Sequence, residues 1–155
     1  MKEIFNNYST IIIFLHVISA VIWVGGMIAI RVAVHPSLQS IDNPQIKLGK
    51  TLEIVGRLFK LVMPFIIILL ITAIIMIVAL GLNGSIIYIK EAIWTIMTLN
   101  YAFMYYKRAK AQKLFNSGNL AAAKEEAKLL PNTLLPINIA LGVIAIILGV
   151  ILRGL

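Results

Sequence analysis

With 155 residues the chain is the size of one domain, but 61% hydrophobic residues and a mean hydropathy of +0.98 lie far above the soluble range and read as an integral membrane protein. Fourteen Lys and Arg against six Asp and Glu give a net charge of +8, with the cations gathered in two loops between apolar runs; that pattern reports topology and anionic-lipid contact, so no nucleic-acid partner is expected. The absence of cysteine excludes disulfides, Fe–S ligation, thiolate metal sites and cysteine catalysis, and leaves His, Met and oxygen as metal ligands.

A membrane crossing needs about 20 mostly apolar residues, and four stretches qualify, at 10–34, 61–82, 86–106 and 133–152. The expected fold is all-α, a single transmembrane domain built as a four-helix bundle. The N-terminal MKEIFNNYST lacks a basic n-region and a cleavage pattern, so the apolar run after it is read as a mature membrane helix. That first span is expected to start at Ser9–Thr10 and to end before Pro36, leaving His35 at its very end. A turn at Asp42–Asn43–Pro44 follows. Lys47, Lys50, Arg57 and Lys60 then alternate with Leu48, Leu52, Val55, Leu58 and Phe59, the pattern of an interfacial amphipathic helix running into the second span. The second span holds no ionisable residue and reads as scaffold. Gly81 to Ser85 is short and turn-rich, which predicts an antiparallel hairpin between the second and third spans. The third span opens with Lys90 and Glu91, leaves through Tyr105–Tyr106–Lys107–Arg108, and is expected to continue as helix to Asn116. A short amphipathic helix over Leu120–Leu130, ended by Pro131, precedes the fourth span.

Five Lys and Arg fall between Arg31 and Lys60 and six between Lys107 and Lys128, eleven of the fourteen, whereas Lys2, Lys90 and Arg153 lie on the other side. This bias places both long loops in the cytoplasm and both termini outside, in a bacterial inner membrane. His16 then lies roughly 9 Å below the outer end of its helix, at a depth similar to Lys90.

Ionisable groups in hydrocarbon are functional candidates because the bilayer offers them no water. At 100° per residue, Trp23 falls within about 20° of His16 on one helix face, and Arg31 within about 60°. Lys90, Trp94, Met97, Tyr101 and Tyr105 form one stripe on the third span, and Asn138, Gly142, Ala145 and Gly149 a small-residue stripe on the fourth. Each residue also has a plainer reading: His16 as a satisfied structural donor, Trp23 and Trp94 as packing, Lys90 snorkelling or neutralised by Glu91, Arg31 and His35 as headgroup anchors, Gly25–Gly26 as close helix packing. Met27, Met97 and Met104 are scattered rather than paired. Taken together, an imidazole with a glycine-relieved apolar face and cations along the spans suit a haem iron, with Arg31 and Lys90 to receive propionates or carry protons. His16 and His35 are roughly 28 Å apart along one helix, so they cannot share one iron within a chain. Either His16 serves a single haem, or two haems sit near opposite faces.

The run LHVISAVIWVGGMIAIRVAVHPSL, with Leu15–His16, Trp23, Gly25–Gly26, Arg31 and His35, resembles the opening helix of the superfamily joining HemJ-type protoporphyrinogen IX oxidases to copper-resistance protein D-like membrane domains. Lys90 matches the position of a functional lysine in the HemJ type. The resemblance implies haem b bound through the first-helix His, a homo-oligomeric bundle, and porphyrinogen or quinol oxidation with electrons passed to the respiratory chain. Trp23, Gly26, Trp94, Met97 and Asn138 would line the cofactor, with His16 and His35 as metal ligands. The chain departs from the HemJ pattern at LLPNTLLPINIALG, which carries Asn132 and Asn138 but no charge. Copper handling through His16, Met27 and Met97, and a purely structural or assembly subunit, are the competing classes.

Overall fold

Why the helices begin and end where they do is legible in their caps. The computed structural model describes residues 1–152, so Arg153 lies outside the described residues. Four long helices follow one another: α1 (Lys2–Gln39), α2 (Pro44–Leu80), α3 (Ser85–Asn116) and α4 (Leu120–Leu152). No strand occurs among the described residues. Pro44 occupies the first position of α2, and Asn43 Oδ1 accepts from the Gln45 and Ile46 amides at 2.9 and 3.1 Å. Gly81, at φ +63°, ends α2 in the left-handed conformation that side chains resist, and the Gly81 and Leu82 amides close on the Ile77 carbonyl. The expected hairpin between α2 and α3 is thus present, as is the extension of α3 to Asn116.

Two prolines expected to end helices do not. α1 runs through Pro36 to Gln39, and Leu120–Leu129 continues past Pro131 into the last span as one helix. In both places the chain first opens a wide turn: His35 N–H reaches back five residues to the Ile30 carbonyl, and Leu135 N–H five residues to Leu130. The next residue is in each case a proline, Pro36 or Pro136, which has no amide to place, so one wider turn takes in the ring without stopping the helix.

α1, α2 and α4 are long and apolar enough to cross a membrane, which makes this an all-helical, multi-pass membrane protein. α3 packs among them, although Lys90, Glu91 and Asn100 make it more polar. At the centre Trp23 meets Tyr101 edge to face with centroids 6.4 Å apart, and Phe59 meets the same ring at 5.2 Å. The Tyr101 hydroxyl donates to the Phe59 carbonyl at 2.7 Å, just before the Pro64 interruption of α2. Asn138, fully buried, donates to the Met97 carbonyl at 3.1 Å and accepts from Asn100 Nδ2 at 2.8 Å, tying α4 to α3. Glycine permits a close crossing of α1 and α4: a β-carbon at Gly142 would stand 2.5 Å from Val24 Cγ2.

The first turns of α4 are clamped to α3 by charge, since Glu126 pairs with Lys107 at 2.8 Å and Lys110 at 2.6 Å. Hydrogen bonds from Lys107 and then Lys110 hold this carboxyl below its ordinary value. Because the folded value is the lower one, the clamp stabilises above the usual carboxylate range near 4.5 and is lost as pH falls through the folded value. The expected result is that Glu126→Gln raises amide exchange over Leu120–Leu129 at neutral pH. The difference from wild type should close as the medium is acidified below about 4.5.

Candidate functional site

At the hairpin end of the bundle three helices contribute polar side chains at one level, His16, Thr72 and Lys90, and Gly149 on α4 leaves room for the last of them. His16 is half-buried on α1, with Nδ1 2.9 Å from Thr72 Oγ1 on α2. The Thr72 hydroxyl also lies 2.7 Å from the Ile68 carbonyl and 3.1 Å from that of Leu69. A hydroxyl has one proton and a carbonyl can only accept, so the shorter contact takes it and Oγ1 offers its lone pairs to the ring. His16 Nδ1 is therefore the N–H nitrogen, and Nε2 carries the lone pair. Nε2 has no hydrogen-bond partner among the described residues.

Lys90 is half-buried and lies within electrostatic reach of His16. Its Nζ sits against α4, 3.1 Å from where a β-carbon on Gly149 would be. Glu91 points outward, and no ion pair joins it to Lys90 among the described residues. One and two turns along from Lys90, Trp94 Nε1 and Thr98 Oγ1 are enclosed without partners, as is Trp23 Nε1.

The other residues singled out in the sequence lie elsewhere. Trp23 and Met97 are core side chains, 1% and 3% exposed, and Asn138 is spent on the α3–α4 link. Gly26 does not open a space, because Leu58 Cδ1 would be 2.8 Å from its β-carbon. Arg31 and His35 stand at the opposite, long-loop end, where Arg31 Nη1 donates to His35 Nδ1 at 3.4 Å and Gln39 lies 3.4 Å from Nε2. Both contacts come from its own helix, and the ring's single lone pair can accept from only one of the two donors. The structure brings His16 and Lys90 to one level and keeps Arg31 and His35 apart from them. Thr72 was missed, yet it is the one polar side chain in the FIIILLITAIIMIVAL run of α2, and that isolation was the available signal.

Among the described residues no three His, Cys, Asp or Glu side chains gather as a metal site. Met27 is eleven residues from His16, roughly 16 Å along α1, and cannot share an ion with it. One oriented imidazole nitrogen is too little to hold a bare cation. It suffices for a metal that arrives with its other ligands already in place. No protein-family model, no curated protein and no solved structure matches this chain.

Proposed function

We propose that this is a haem b-binding redox protein of the bacterial cytoplasmic membrane, with His16 Nε2 as an axial ligand. The observation that carries the reading is the His16–Thr72 contact: with the Thr72 hydroxyl proton donated to the Ile68 carbonyl, Oγ1 accepts a hydrogen bond from His16 Nδ1–H, which leaves the Nε2 lone pair for a ligand. A porphyrin brings four nitrogens of its own, so a single oriented imidazole suits haem, whereas Met27, roughly 16 Å from His16 along α1, does not suit a copper ion shared with it. Haem b, when bound, supplies a one-electron couple inside the membrane. The chain's own residues orient the imidazole (Thr72), set a cation at the same level for a propionate (Lys90) and exclude water. Arg31 lies roughly 22 Å along α1 from His16 and cannot serve the same haem.

Leu58 and Val24 fill the places relieved by Gly26 and Gly142, so the porphyrin belongs at the surface of α1, covered by a second copy in a homo-oligomer. In this reading α3 crosses with the other three helices, both termini lie outside, and the electron partner is a quinol, a porphyrinogen or a respiratory-chain component. A second reading rests on the same contact: the His16–Thr72 hydrogen bond links α1 to α2 and would serve a structural or assembly subunit equally well. Haem titration of the detergent-purified protein separates the two. The haem reading expects a Soret band that His16→Ala removes and Lys90→Gln weakens. A wild-type protein that develops no Soret band, with His16→Ala altering stability alone, would leave the structural reading.

A further inference from the structure

The charges at the long-loop end do not balance where α2 meets α3. Five of the eleven cations there have carboxylate partners: Lys50 and Arg57 pair with Glu53, Lys107 and Lys110 with Glu126, and Lys128 approaches Glu125 at 4.0 Å. Arg108 and Lys60 have none among the described residues. Both line a cleft of about 340 Å³ between α2 and α3, together with Gly49, Gly56, Arg57, Gln112 and Glu53, whose carboxylate is paired with Lys50 and Arg57.

The Arg108 side chain is held in place. Its Nε donates to the Leu52 carbonyl at 3.0 Å and its Nη2 to Gln112 Oε1 at 3.0 Å, which leaves Nη1 without a partner among the described residues. The guanidinium lies so close to α2 that a β-carbon on Gly56 would collide with it. Glycine at 56 therefore makes the seat, and the carbonyl and amide oxygens aim the fork. Lys60 is exposed and immediately precedes the apolar stretch of α2 that begins at Leu61, while Tyr105 and Tyr106, just before Arg108 on α3, are exposed aromatics. Aromatic rings followed by cations mark the headgroup level of a bilayer. A fixed guanidinium beside a free ammonium at that level matches the phosphate of an anionic lipid.

We propose that this cleft is a binding site for the phosphodiester headgroup of an anionic phospholipid, with Arg108 and Lys60 on the phosphate. Native mass spectrometry of the detergent-purified full chain, titrated with phosphatidylglycerol or phosphatidylcholine, tests it. Two unpaired cations predict a preference for phosphatidylglycerol of roughly thirtyfold, and Lys60→Gln reduces it about fivefold. Lys60 makes no hydrogen bond or ion pair among the described residues, so that variant keeps the fold. Arg108→Gln and Gly56→Ala should abolish the preference, whereas Lys124→Gln, an exposed cation on α4, leaves it unchanged. Equal affinity for the two lipids, or a preference indifferent to Lys60, Arg108 and Gly56, overturns the proposal. Displacement of phosphatidylglycerol by millimolar inorganic phosphate would assign the cleft to a soluble anion and overturn the lipid assignment.

Discussion

Alanine at Gly142 is expected to lower the stability of the detergent-solubilised protein by about 1–3 kcal/mol, the usual cost of overpacking a close contact. The added methyl would meet Val24 Cγ2 at 2.5 Å and both Val24 Cγ1 and Met97 Cε at 3.2 Å. Met97 can yield, because an unbranched thioether has several torsions to spend. Val24 cannot, since a β-branched side chain in a helix has essentially one rotamer. The cost therefore falls on the α1–α4 crossing itself. It should exceed that of breaking the Asn138–Met97 hydrogen bond, because interhelical hydrogen bonds in membranes average only about 0.6 kcal/mol. Val24→Ala in the same chain should recover most of the loss, as a denaturant titration of the double-mutant cycle would register. A neutral Gly142→Ala would mean that the helices do not meet there.

Thr72→Val should weaken haem binding by roughly 10–100-fold while leaving a folded protein, and Thr72→Ser should restore it. Valine keeps the shape but removes the oxygen that accepts the hydrogen bond from His16 Nδ1–H, so the ring is free to adopt the other tautomer or to rotate. His16→Ala, by contrast, should abolish binding. Absorbance titrations with haem measure both. If His16 is only an interhelical clip, the two substitutions should instead give equal, non-additive losses of stability, and no haem signal should be present to weaken.

Much of this organisation can be read without coordinates, and the limits have physical causes. Hydropathy marks the apolar runs, and the Asn43 cap and the glycines at 81 and 84 announce turns because few other residues serve there. An imidazole in an apolar run announces itself in the same way. Pro36 and Pro131 mislead because the outcome depends on whether the helix can widen by a turn, before the ring at Pro36 and around it at Pro131, a tertiary matter of what packs beside Ile30 and Leu130. Gly26 and Gly142 read equally as space for a macrocycle or as seats for a neighbour; only the positions of Leu58 and Val24 decide. Glu91 adjoins Lys90 in sequence, yet consecutive helical residues point about 100° apart, so adjacency does not make a pair. Thr72 was passed over because it is not ionisable, although a lone hydroxyl in hydrocarbon needs a partner as surely as a charge does.

The most direct measurement is the haem content of the protein purified from cells supplied with a haem precursor, assayed as the pyridine haemochrome, for wild type and His16→Ala side by side. Haem b in a fixed ratio to the wild-type chain, and none with the variant, is the predicted result. A colourless wild type, or equal haem in both proteins, would contradict ligation by His16.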